Sequence, residues 1–157
     1  KKKQKFLPIT HPSMTRFWIN IDQGINLVEK SFARMIGGEI FIPIIPSIKI
    51  IDLAKAMAPN LKQKIVGIRP GEKIHEIMCS TDDAPYVFKF RDHYLITPSS
   101  QFYKTKKDYK KNKLNEVGKS VKLDFEYNSG TNKKFLNVNE IRKMNLLNNI
   151  NTFSETS

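Results

Sequence analysis

The run Gly67-Ile68-Arg69-Pro70-Gly71-Glu72-Lys73-Ile74-His75-Glu76 holds the residue types best suited to chemistry in this chain. A β-rich segment, Lys64–Ile68, leads into a Pro-Gly turn that aims Arg69 and Glu72 out of one loop. Arginine offers a planar fork of donors that fits phosphate. A glutamate accepts from neutral hydroxyls, such as those of ribose or a sugar. Phosphate and sugar hydroxyl together describe a sugar nucleotide, so Arg69 and Glu72 are candidate binding residues. The same residues also suit an ordinary surface turn closed by an Arg–Glu ion pair. A second candidate is Thr10, a hydroxyl at the end of the short strand around Ile9. A strand-edge hydroxyl with no ligand is the competing reading.

The other reactive side chains form no constellation. His11, His75 and His93 share no metal-ligand spacing. His75 and Cys79 are four residues apart on a segment read as helical, but two ligands do not make a zinc site. No metal is expected, and Cys79 reads as a small buried residue. Asp82-Asp83 reads as a turn or cap. Tyr109-x-x-x-Lys113 and Tyr103-x-x-x-Lys107 match the Tyr/Lys spacing of short-chain dehydrogenases. Neither follows a glycine-rich phosphate loop or lies in a run of βαβ units. Both are set aside, and no catalytic residue is assigned.

The elements that must position these residues come from 157 residues, enough for one domain or one domain with a tail. With 39% hydrophobic and 10% aromatic residues, a packed core is feasible. A single cysteine excludes a disulfide framework and fits a reducing, cytoplasmic setting. No apolar run reaches the ~18 residues of a membrane span; Ile40–Ile51 is broken by Pro43, Pro46 and Lys49. Net charge is +12, from 27 basic and 15 acidic residues. Arginine occurs only at 16, 34, 69, 91 and 142, so the excess is lysine, which reads as a solvated face. A nucleic-acid surface around Lys104–Lys113 is the competing reading.

Strands are expected around Ile9, at Thr15–Ile19, Glu39–Pro43, Ser47–Ile51 and Lys64–Ile68. A helix capped by Asp22 carries Ile25, Val28, Phe32 and Met35 at helical spacing until Gly37-Gly38. Asp52–Ala58 reads as a short helix before Pro59, and Lys73–Cys79 as one or two helical turns. Ala84–Phe90 and His93–Thr97 read as a hairpin through Arg91-Asp92. A core of residues 1–100 with an extension at 101–157 is expected. In the extension only Val138–Leu147 has helical patterning, and the stretch from about Asn148 is expected to be disordered.

Several runs are recognisable in order. They are Ile9-Thr10, Met14-Thr15-Arg16-Phe17-Trp18-Ile19, Asp22-Gln23-Gly24, Gly37-Gly38-Glu39-Ile40-Phe41, Pro46-Ser47, Asp52–Ala56 and Ile68–Lys73 with His75-Glu76. With Lys107-Asp108-Tyr109 and Asp124–Tyr127, they resemble the C-terminal half of the inverting UDP-N-acetylglucosamine 4,6-dehydratases. These belong to the extended short-chain dehydrogenase/reductase superfamily and are related to polysaccharide biosynthesis proteins. The departure at His11-Pro12-Ser13 falls in the loop beside Thr10.

The resemblance implies a mixed α/β fold: a substrate-binding subdomain, 1–100, with its C-terminal extension and without the Rossmann half. It implies an NADP-dependent hydro-lyase that makes a 4-keto-6-deoxy sugar nucleotide, inverted at C5, for pseudaminic acid or surface polysaccharide. NADP and the catalytic Tyr and Lys belong to the missing N-terminal half. Thr10, Arg69 and Glu72 then match substrate-binding positions, with Arg69 on the nucleotide side and Glu72 on ribose hydroxyls. The expected partners are UDP-N-acetylglucosamine, that N-terminal half and further copies of the full-length enzyme, with neither nucleic acid nor a membrane segment. On this reading the isolated chain is inactive and poorly soluble. A free-standing UDP-sugar-binding module is the alternative.

Overall fold

The computed structural model describes residues 5–98 and 107–147. Tyr103 and the stretch from Asn148 lie outside the described residues. The chain forms two units. One takes the described residues of Lys1–Asn20, Ile45–Glu76 and Ser129–Ser157; the other takes those of Ile21–Ile44 and Ile77–Asn128. Each unit draws strands or helices from both sides of residue 100.

The first unit holds β1 (Phe6–Ile9), β2 (Thr15–Phe17), β4 (Ser47–Lys49), helix α2 (Ile50–Met57), β5 (Lys62–Ile65) and helix α3 (Val138–Leu147). β1 runs parallel to β5, with Ile9 opposite Ile65. β2 runs antiparallel to β4, with Thr15 opposite Lys49. The core is Ile48, Ala56, Leu136 and Ile141, with Trp18, Leu53, Val138 and Met144 packed against it. Trp18 is thus a packing residue. α3 begins at a capping box: Asn137 Oδ1 accepts from the amides of Asn139 and Glu140, and Glu140 Oε2 accepts from the Asn137 amide.

The second unit is built on a four-stranded antiparallel sheet. It comprises β3 (Ile40–Pro43), β7 (Val87–Lys89), β8 (His93–Ile96) and β9 (Lys119–Ser120), in the order β3-β8-β7-β9. β6 (Ile77–Cys79) pairs with β10 (Tyr127–Asn128). The β7–β8 hairpin turns at Arg91-Asp92, as expected. Helix α1 (Ile21–Arg34) takes Asp22 inside its first turn instead of as its cap. Glu39 closes the Gly37-Gly38 stop by accepting the amides of Ile36 and Gly37. Tyr109 Oη donates to Gly37 O at 2.9 Å, and Lys107 Nζ to Ile36 O at 2.8 Å. Asp83 Oδ2 closes a turn by accepting the Ser80 amide and hydroxyl, which holds its carboxyl below the ordinary carboxylate range. Cys79 is fully buried, and burial with the nearby Asp83 and Glu126 pushes its thiol up to about 11.

A buried guanidinium organises this unit. Arg34, 5% exposed, donates from Nε and Nη2 to Glu116 at 2.6 and 3.0 Å and from Nη1 and Nη2 to Asp92 at 3.2 Å. Asp92 Oδ1 in turn meets His93 Nδ1 at 2.8 Å. The His93 ring is 1% exposed, stacks on Phe90 at 4.6 Å and tilts against Phe41. Its buried Nε2 has no hydrogen-bond partner among the described residues. Burial lowers the His93 pKa below its ordinary 6.5, against the opposing pull of Asp92, so the folded ring is held neutral.

That shift has a sign for stability. Below pH 6.5 the unfolded chain takes up a proton that the folded ring resists, so the folded state loses ground as pH falls through 6.5. Asp92, held low against its burial by the His93 hydrogen bond and Arg34, and Glu116, held low chiefly by its Arg34 hydrogen bond, add losses only at more acid pH. Chemical denaturation at pH 7, 6 and 5 is expected to show falling stability, with a shallower slope in His93→Phe. Equal slopes in the two proteins would contradict the assignment.

Candidate functional site

Two of the unit's strands deliver the candidate residues to one place. Because β1 and β5 are parallel, both end at the same side of the pair, the side where open α/β structures hold ligands. The Val66 amide donates to Ile9 O at 2.8 Å, extending the ladder one residue past β5. Thr10 follows β1 directly, half-buried, with its hydroxyl donating to Met14 Sδ at 3.4 Å. His11-Pro12-Ser13 turns beside it, with the Ser13 amide donating to His11 Nδ1.

After β5 the chain from Val66 to Gly71 is exposed. Pro70 and Gly71, with Gly71 at φ 79°, occupy the central positions of a type II turn. The Glu72 amide donates to Arg69 O at 3.1 Å, as that turn requires. Glu72 Oε2 then accepts the Arg69 amide at 3.1 Å. The anticipated Arg–Glu pair exists in a different form: the carboxylate grips the Arg69 backbone instead of its side chain. The Arg69 guanidinium is exposed and has no partner among the described residues. The structure therefore brings Arg69 and Glu72 into direct contact and sets Thr10 next to the strand end from which their loop departs.

Sequence reasoning missed the residues that secure this loop. Arg16 Nη1 donates to the carbonyls of Thr15 at 2.6 Å and Ile74 at 3.2 Å, and Nη2 donates to that of Lys73 at 2.9 Å. Its Nε lies 3.4 Å from Glu76 Oε1. The Thr15 amide also donates to Ile74 O at 2.9 Å. Thr15 Oγ1 meets His75 Nδ1 at 2.8 Å and Ser129 Oγ at 2.7 Å. Ser129 Oγ accepts the Glu76 amide at 2.9 Å, and the Ser129 amide donates to Glu76 O at 2.8 Å.

These bonds overturn the helical reading of Lys73–Cys79. The carbonyls of Lys73, Ile74 and Glu76 are taken by Arg16, Thr15 and Ser129, so none is left to begin a helix, and Ile77–Cys79 continues as a strand. His75 and Cys79 consequently share no helix face. Arg16 lay in the recognisable Met14–Trp18 run, but nothing local to that run announced its partners.

The profile of a family described as polysaccharide biosynthesis protein matches residues 1–98. The chain belongs to this family. Among the family member's relatives, the UDP-N-acetylglucosamine 4,6-dehydratase (inverting) of Campylobacter jejuni is 53% identical over 128 residues, covering 82% of this chain and 38% of the relative. The protein of the same description from a second Campylobacter jejuni strain is 49% identical over 137 residues, covering 87% and 41%. A UDP-glucose 4-epimerase of Rickettsia canadensis is 31% identical over 147 residues, covering 91% and 41%. The family member thus spans about 40% of the length of these curated relatives. The X-ray structure of Pen from Bacillus thuringiensis superposes with a TM-score of 0.71 at 24% identity, covering 95% of this chain and 42% of that one. That likeness concerns the fold alone. The resemblance carried by the Met14–Trp18 and Ile68–Lys73 runs is borne out, and the mixed α/β fold fits part of an extended short-chain dehydrogenase/reductase.

The fit of His75 over the backbone of Gly130 can be tested. A Cβ built on Gly130 would sit 2.6 Å from His75 Nδ1, closer than any real contact. Gly130→Ala is expected to displace the ring and cost about 1–3 kcal/mol of stability, read by denaturant titration. A stability unchanged from the parent would contradict this packing.

Proposed function

We propose that this chain is the nucleotide-sugar-binding part of an inverting UDP-N-acetylglucosamine 4,6-dehydratase. The whole enzyme would make a 4-keto-6-deoxy UDP-sugar for pseudaminic acid or surface polysaccharide synthesis in the cytoplasm, as an oligomer. The observation that carries the reading is the turn at Arg69–Glu72. It fixes both polar backbone groups of Arg69 and leaves the guanidinium fork without a partner among the described residues, on the loop that leaves the carboxyl end of a parallel strand pair whose other strand ends at Thr10. A fork held this way suits a diphosphate. Glu72 keeps one carboxylate oxygen for ribose hydroxyls, and Thr10 adds a hydroxyl at the rim.

No residue of this chain is assigned to NADP. The sequence has no glycine-rich dinucleotide loop, and the described Tyr109 and Lys107 hold the carbonyls of Gly37 and Ile36. The cofactor and the catalytic groups belong, on this proposal, to an N-terminal Rossmann half. Support for such a partner comes from α1. Ile21, Ile25, Val28 and Phe32 recur along one face of that helix, and all four are exposed, by 70%, 51%, 54% and 69%. A continuous apolar stripe of this kind marks a surface built to be covered. The chain by itself is accordingly inactive on this reading.

Isothermal titration with UDP and UDP-N-acetylglucosamine tests the proposal. Arg69→Ala is expected to weaken both ligands by roughly tenfold or more, since a hydrogen bond to a charged group contributes about 1.5–3 kcal/mol. Raising salt is expected to weaken the parent more than the variant. Binding unaffected by Arg69→Ala would refute the assignment of the turn.

A further inference from the structure

We infer that Arg16 is a positioning residue for the Arg69–Glu72 turn, setting its conformation without touching the ligand. The part of this inference that concerns nucleotide affinity rests on the reading just proposed. The two arginines lie close to the same loop, yet their donors are committed in opposite ways. Nη1 and Nη2 of Arg16 donate to the carbonyls of Thr15, Ile74 and Lys73, and Nε lies at ion-pair distance, 3.4 Å, from the Glu76 carboxylate. With both terminal nitrogens given to backbone carbonyls and Nε against a carboxylate, Arg16 has no terminal fork to turn onto a phosphate without breaking those contacts. The fork of Arg69 has no partner among the described residues.

The place where Arg16 acts explains its leverage. Upstream, the loop is anchored by the Val66 amide on Ile9 O. Downstream, the first backbone groups after Glu72 are the carbonyls of Lys73 and Ile74, and Arg16 holds both. Gly67 at φ 92° and Gly71 at φ 79° leave the intervening backbone supple, and neither has a neighbour within reach of an added Cβ. An exposed span with two such glycines keeps one conformation only if both ends are fixed. Thr15, 4% exposed, and Ser129, fully buried, fix the downstream end a second time through His75 and the Glu76 backbone. Ser129 supplies this from a position far along the chain, and it touches nothing in the turn itself.

Lysine at position 16 would keep the charge near Glu76, but one ammonium cannot span three carbonyls in the plane that a guanidinium fits. Arg16→Lys is therefore the informative substitution, and Ser129→Ala is an independent second one should Arg16→Lys fold poorly. Hydrogen–deuterium exchange of the amides of residues 67–76, measured without ligand, reads the loop directly. UDP titration of the same proteins reads the consequence.

Both variants are expected to speed exchange over 67–76 and to weaken UDP by about tenfold, while other segments keep their protection. Arg69→Ala is expected to weaken UDP with loop exchange unchanged. Weaker UDP binding in Arg16→Lys with unaltered loop exchange would overturn the inference, because Arg16 would then contact the ligand. Faster exchange with undiminished UDP affinity would overturn it as well. If the parent protein does not bind UDP, the nucleotide reading fails by itself. Exchange then decides the positioning role: unchanged exchange in both variants refutes it, and faster exchange supports it.

Discussion

One guanidinium settles whether the exposed turn has a shape. Backbone carbonyls that emerge from a turn must find donors, and water supplies them without favouring any geometry. Arg16 replaces water at Lys73, Ile74 and Thr15 with one rigid plane of N–H groups. That plane ties the chain past Glu72 to β2. A flexible cation would satisfy the charge of Glu76 and lose the hold on these carbonyls.

The second unit solves a related problem with a second arginine and the opposite solvation. Arg34 is nearly out of water, so its charge must be matched within the protein, and Asp92 and Glu116 do so. The cost of burying it is offset by hydrogen bonds that also tie together α1, the β7–β8 turn and the segment at Glu116. Asp92 then orients His93, whose ring completes the aromatic stack with Phe90. Burial leaves that ring neutral and its Nε2 without a partner among the described residues, which makes the unit acid-sensitive by construction.

Much of this was legible from local pattern. The apolar spacing of α1, the hairpin through Arg91-Asp92, the helical patterning of Val138–Leu147 and the Pro70-Gly71 turn all depend on neighbours within a few residues. The signal failed where partners are distant. Thr15 meets Ser129 across 114 positions, and Ser129 and Arg16 together draw 73–76 out of a helical conformation that its composition favours. The pairing of β7 with β9 and of β6 with β10 was invisible for the same reason, since Lys119–Ser120 and Tyr127–Asn128 are too short to show any periodicity. The candidate residues Thr10, Arg69 and Glu72 were readable by type and by family resemblance. The use of the Glu72 carboxylate on the Arg69 amide was not.

The most direct measurement is a crystal structure of the protein with UDP bound. The diphosphate should lie against the Arg69 guanidinium near Thr10, with Arg16 still donating to the carbonyls of Lys73 and Ile74. A diphosphate bound away from Arg69, or Arg16 released from those carbonyls and turned onto it, would contradict the division of labour between the two arginines.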